Sequence, residues 1–169
     1  RNVDAWWPHI EAGVEAIVVT ASGCGVQVRD YGHILADDTL YAEKAAKISS
    51  LSRDPSEVLA GEKAALLPLL AARPERRGKL AFHSPCTLQH GLQIRGSIEV
   101  LLQSAGYDLT PVADSHLCCG SAGTYSVLQP ELAGMLRANK LAALNAGGPA
   151  LAATANIGCL THLQAGSSL

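Results

Sequence analysis

The chain alternates short apolar runs with segments of helical period. This is the pattern of an α/β domain, in which buried parallel strands read as continuous apolar stretches. Residues 16–20 (AIVVT), 80–83 (LAFH), 109–112 (LTPV) and 151–154 (LAAT) are the strand candidates. Between the second and third of these, Ile94, Ile98, Leu101, Leu102 and Ala105 recur at helical spacing and draw one apolar stripe, which Gly106 stops. Pro130 opens a second helix that runs to about Asn145, with Gly147 and Gly148 closing it. Residues 39–71 read as helix, polar at first (Glu43, Lys44, Lys47) and apolar around Leu66 to Leu70. Ala72 to Gly78 has linker composition, which divides the chain into 1–71, a linker at 72–78 and a unit at 79–169.

One stretch echoes another. AGVEAIVVTASGCGVQ (12–27) aligns with AGGPALAATANIGCLTH (146–162), pairing Gly13 with Gly147, Thr20 with Thr154 and Ala21 with Ala155. After a one-residue insertion, Cys24 pairs with Cys159. A strand entering the same Thr-Ala turn and the same cysteine predicts a duplicated unit, of which the chain would hold the tail of one copy and the whole of another.

Composition narrows the chemistry. With 169 residues, 48% of them hydrophobic, the chain can bury one ordinary core. Thirteen Lys and Arg against fifteen Asp and Glu leave no basic excess for counterion release, so nucleic acid is excluded as a partner. No apolar run is long enough to span a bilayer and none reads as a signal peptide, which predicts a cytoplasmic protein. The chain begins at Arg1 and stops at Gly166-Ser167-Ser168-Leu169 with no terminal element, so both ends are expected to be cut from something longer. Five cysteines in a reducing compartment, an odd number, point to metal or redox duty rather than to a disulfide framework.

Cys86, the adjacent pair Cys118 and Cys119, and Cys159 each follow a predicted strand. In an open α/β sheet the carboxyl ends of the strands share one edge, so these thiols are expected to converge. Thiolates around one point suit zinc or an iron-sulfur cluster. Structural zinc favours thiolates two to four residues apart, whereas consecutive cysteines diverge and reach separate metal atoms more easily than they chelate one. The turn Gly120-Ser121-Ala122-Gly123 lets backbone N–H groups approach such a centre. A single cysteine is more simply a buried core thiol. His83, His90, His116 and His162 each stand within four residues of a cysteine. Any one of them reads first as a hydrogen-bonded side chain, with His162, three residues after Cys159, the exception. Trp6, Trp7 and Tyr125 read as packing residues. No flavin or nicotinamide site is legible, since GSAG lacks the spacing of a dinucleotide fingerprint.

Cys86, then Cys118-Cys119-Gly120 after 31 residues, then Cys159 after 39 more, resembles the cysteine-rich CCG domain (C…CCG…CxxC). That domain occurs in heterodisulfide reductase B subunits, anaerobic glycerol-3-phosphate dehydrogenase C subunits, lactate-utilisation iron-sulfur proteins and glycolate oxidase iron-sulfur subunits. The strings HSPCTLQHGLQIRG, HLCCGSAGTYSVLQPELAGMLRANKLAALNAGGP and ATANIGCLTHLQAG look most like the last of these. The resemblance implies an α/β fold of duplicated Rossmann-like CCG units, with short parallel sheets flanked by helices. On it, 1–71 is the C-terminal part of a first CCG domain plus a helical connector, and 79–169 is a second CCG domain. It also implies a [4Fe-4S] type cluster held by Cys86, Cys118, Cys119 and Cys159 beside Gly120, with His162 and Cys24 as further candidate ligands. The chain would then be a non-catalytic electron-transfer subunit of a complex that oxidises glycolate to glyoxylate. Its partners would be FAD-containing subunits and, indirectly, the membrane quinone pool, with the complex peripheral at the inner face of the cell membrane.

The sequence departs from the family pattern in two places. The final cysteine of the motif is His162 in the second unit and Gln27 in the first, and the partners of Cys24 would precede Arg1. There is no C-x-x-C-x-x-C run of the kind found in the ferredoxin-like region of family members. The alternatives are a subunit for lactate, glycerol-3-phosphate or heterodisulfide chemistry, a structural zinc module, or a metal-free α/β scaffold.

Overall fold

A computed structural model describes residues 1–72 and 77–167 of the chain. Most of the segment read as a linker, residues 73–76, lies outside the described residues. In chain order the elements are α1 (Asn2–Glu11), β1 (Ile17–Val18), α2 (Ser22–Arg29), α3 (Tyr31–Ile34), α4 (Ala42–Leu51), β2 (Ser52–Arg53), α5 (Pro55–Gly61) and α6 (Lys63–Ala71). They continue with β3 (Lys79–His83), a π-helical turn (Thr87–Gly91), α7 (Ser97–Ser104), β4 (Asp108–Thr110), α8 (Tyr125–Leu128), α9 (Pro130–Asn145), β5 (Leu151–Thr154) and α10 (Ile157–Gln164). The fold is α/β, with short parallel sheets among helices.

Two sheets form. β1 pairs with β2 in parallel, and a second sheet runs β4-β3-β5 with both pairings parallel. The central strand β3 is covered on both faces, and Leu80, Ala81, Phe82 and His83 are all buried. Its period of two sorts them. Leu80 and Phe82 enter a core with Leu88, Leu92 and Ile94. Ala81 enters another with Cys119, Leu144, Cys159 and Leu163. A third core, Val3, Val28 and Ile48, lies under the first sheet.

The stretch 39–71, expected to be helical throughout, is broken twice. Ser52 and Arg53 form β2 by pairing with Ile17 and Val18, a tertiary contact that leaves no period in a two-residue strand. Asp54 then caps α5: its carboxylate accepts from the Ser56 N–H and Glu57 accepts from the Asp54 N–H, a capping box with Pro55 in the first turn. Ile94 does not belong to the helix whose stripe it extended. Gly96, at φ +77, precedes the first turn of α7 at Ser97, and Ile94 is buried in the loop before it. The strand candidates 16–20 and 109–112 shorten to Ile17–Val18 and Asp108–Thr110, because pairing extends no further. α9 keeps the expected bounds.

The echoed stretches share a layout. Each runs strand, turn, helix, with Cys24 the third residue of α2 and Cys159 the third residue of α10. They meet at the turns, where the Ser22 N–H donates to the Ala155 carbonyl oxygen at 3.3 Å and Asn156 Nδ2 donates to Ser22 Oγ at 3.2 Å. No helix among the described residues is long and apolar enough to cross a membrane.

Candidate metal centre

Three segments deliver four thiols to one place. Pro85, fully buried, turns the chain after β3, and Cys86 stands at the start of the π-helical turn closed by the Leu92 N–H on the Thr87 carbonyl oxygen at 2.8 Å. Such single π turns recur at functional sites. Cys118 and Cys119 lie in the loop between β4 and α8, and Cys159 in the first turn of α10. That helix is capped by Asn156, whose Oδ1 accepts from the Gly158 N–H at 2.8 Å. Cys119 and Cys159 are buried, and Cys86 and Cys118 are partly so.

The four thiols stand close enough to shift one another's pKa, in a run Cys86, Cys118, Cys119, Cys159. The neighbouring Cys119 and Cys86 thiols, joined by the Gly120 N–H, hold Cys118 below the usual thiol range. Cys119 likewise lowers Cys159. Cys86 is pushed up by Cys118 and by burial, and Cys119 by Cys118, Cys159 and burial. Ionising all four sulfurs together would place like charges side by side in a partly desolvated pocket, and only a cation at their centre would relieve it.

The Gly120 N–H donates to Cys118 Sγ at 3.4 Å, and the backbone at Thr87 and Ser121 acts to lower the pKa of Cys86 and Cys119. Gly120 is required there. Its φ is +93, and a Cβ would stand 2.5 Å from the Ala133 carbonyl oxygen of α9.

Two further residues flank the site: His83, which the sequence reads first as a hydrogen-bonded side chain, and Lys140, which its motifs do not single out. His83 ends β3 on the Ala81 face, 2% exposed, with a ring nitrogen and the sulfurs of Cys119 and Cys159 all within 4.8 Å of one another. Its Nδ1 lies 2.9 Å from Thr154 Oγ1, and its buried Nε2 has no hydrogen-bond partner among the described residues. Desolvation, with Lys140 nearby, lowers its pKa to about 4, so the ring is neutral. Lys140, 3% exposed, donates from Nζ to the Asp114 carbonyl oxygen at 2.9 Å. Burial lowers its pKa while Cys119, Asp114 and Cys118 act to raise it. It lines a cavity of about 160 Å³ with Cys118 and Asp114. The available signal was a lysine on the helical face shared by Ala133 and Leu144.

For His162, one of the two further candidate ligands, Nε2 lies 3.3 Å from the Ala133 carbonyl oxygen. Cys24 is exposed and stands outside the thiol run. His90 reaches the His116 carbonyl oxygen at 3.2 Å. Clustered sulfurs, an orphaned ring nitrogen and converging N–H groups fit a thiophilic metal centre.

Comparison with known proteins agrees with the motif. The glycolate oxidase iron-sulfur subunit of Escherichia coli (strain K12) is 55% identical over 163 residues, covering 96% of this chain and 39% of that protein. The probable glycolate oxidase iron-sulfur subunit of Bacillus subtilis (strain 168) is 30% identical over 90% of the chain and 34% of its own length. Lactate utilization protein A of Shouchella clausii (strain KSM-K16) is 24% identical over 90% of the chain and 62% of its own length. The chain thus spans between about a third and two thirds of the length of these relatives. Residues 80–164 match the model of the cysteine-rich domain named CCG, and these span β3 to α10 with every cysteine of the run. The chain belongs to the cysteine-rich CCG domain family.

Proposed function

We propose that this chain is the redox-centre portion of an iron-sulfur, electron-carrying subunit of a glycolate-oxidising complex. The observation that carries the reading is the gathering of thiols at one place, with the sulfurs of Cys119 and Cys159 within 4.8 Å of each other, Cys118 accepting from the Gly120 N–H, and a buried lysine alongside. The 55% identity to a glycolate oxidase iron-sulfur subunit supports glycolate over lactate, for which the relative quoted is 24% identical. The domain division at the 72–78 segment belongs to the same reading, with residues 1–71 ending a first CCG unit and 79–169 forming a second; the family match to 80–164 supports it.

Cys86, Cys118, Cys119 and Cys159 would hold a [4Fe-4S] type cluster, which when bound supplies a one-electron relay. The Gly120 N–H stabilises negative charge on Cys118. Lys140 supplies the positive charge that a set of thiolates leaves uncompensated, and the buried faces of β3 and α10 keep water from Cys119 and Cys159. Substrate chemistry falls to FAD-containing partner subunits, and the electrons pass toward a membrane quinone pool at the inner face of the cell membrane.

The compact set His83, Cys119 and Cys159 favours a second reading, a structural zinc site of mixed nitrogen and sulfur donors. Iron and acid-labile sulfide quantitation on the intact protein, purified without oxygen and followed by EPR, separates the two. Iron with matching sulfide supports the relay. Zinc without sulfide overturns it.

A further inference from the structure

We infer that His83, through Nε2, is the nitrogen ligand of this centre, in the place that the family motif leaves without a cysteine; the inference rests on the iron-sulfur reading above. Three observations converge on it. First, β3 has a period of two, so His83 lies on the same face as Ala81, which packs with Cys119 and Cys159. Its ring nitrogen and those two sulfurs are mutually within 4.8 Å, whereas His162 belongs to no such group among the described residues.

Second, Nε2 is buried with no hydrogen-bond partner among the described residues, in a side chain only 2% exposed. An unpaired buried nitrogen is costly and is retained where something not yet counted satisfies it. Third, Nδ1 is held by Thr154 Oγ1 at 2.9 Å. Metal-bound histidines almost always engage the second ring nitrogen in this way, which fixes the tautomer and aims the free lone pair. Thr154 lies opposite His83 in the β3–β5 register, so the sheet itself positions the pair.

His162 is taken by a different contact. Although it stands three residues after Cys159, its Nε2 faces the Ala133 carbonyl oxygen at 3.3 Å. The sequence offers a histidine where the motif has its last cysteine, and the fold supplies another from β3.

The test is nitrogen hyperfine spectroscopy on the intact protein, grown with ¹⁵N-histidine and purified without oxygen, with the centre poised in its paramagnetic state. A directly coordinated histidine nitrogen is expected in the native protein, absent in His83→Gln and unchanged in His162→Gln. His83→Cys should keep iron and sulfide, lose the nitrogen coupling and lower the midpoint potential, because a thiolate adds negative charge where an imidazole was neutral. Iron and sulfide present with no coordinated nitrogen would overturn the assignment alone, as would a coupling that survives in His83→Gln and vanishes in His162→Gln. A native protein with neither iron nor sulfide would overturn the iron-sulfur reading and this assignment together. The native measurement needs no variant to fold.

Discussion

At the residue scale, the centre depends on a glycine as much as on its sulfurs. Gly120 combines a left-handed φ with a close approach to the α9 backbone, and its N–H points at Cys118. Gly120→Ala should cost about 2 kcal/mol or more, since the side chain is strained and must also displace the Ala133 carbonyl. At this chain length that is a fall in Tm of roughly 4–8 °C, measurable by calorimetry, together with loss of bound iron. A Tm within 1 or 2 °C of native, on the order of the error, would show that the loop relaxes freely. Cys119→Ser probes a buried sulfur within 4.8 Å of Cys159 and a His83 ring nitrogen. It is expected to strip most of the iron, by elemental analysis, while far-ultraviolet circular dichroism stays native, because Leu80, Phe82, Leu88, Leu92 and Ile94 form a core that this thiol does not enter.

At the element scale, the end of the first sheet relies on a cap rather than on length. β2 is two residues long, and the chain leaves it directly into the Asp54 capping box. Asp54 is buried, and its carboxylate accepts from both the N–H and the hydroxyl of Ser56. Glu57, besides closing the box, pairs with Arg29 of α2. Asp54→Ala should therefore cost about 1–2 kcal/mol in urea unfolding. The iron content should not change, because no atom of α5 belongs to the thiol run. Iron lost in proportion to stability would mean that the two sheets fold as one cooperative unit.

At the scale of the whole molecule, the echoed units are joined by a small polar junction. Asn156 caps α10 through Oδ1 and reaches with Nδ2 to Ser22 Oγ at 3.2 Å and to Thr87 Oγ1 at 3.4 Å, while Ser22 and Thr87 are themselves 2.7 Å apart. One side chain thus ties α2, the turn after Cys86 and the helix of Cys159. Asn156→Asp keeps the acceptor for the Gly158 N–H and loses both donations, so it separates cap from junction. We expect Asn156→Ala to cost about 1–2 kcal/mol, and Asn156→Asp to keep the helix cap yet release iron faster than native during chelator challenge. Equal release from native and Asp variants would confine the role of Asn156 to capping.

The sequence by itself determined the class of the fold and the cysteine motif. Alternating apolar runs and helical stripes carry those signals locally, and α9 could be bounded from Pro130 and the glycines after Asn145. The CCG motif could be read as letters because its turn needs glycine at one backbone position. Only the tertiary structure decided the rest. β2 exists because β1 lies beside it, a pairing with no trace in a two-residue stretch. Ile94 is buried by the core of β3 and not by the helix its spacing suggested. Which histidine stands beside the buried sulfurs turned on the direction of side chains. Parity along β3 sends His83 to the sulfurs, while the packing of α10 against α9 commits His162 to a carbonyl. Spacing along a chain limits how near two residues can come, but which atoms face each other is settled by the elements that pack around them.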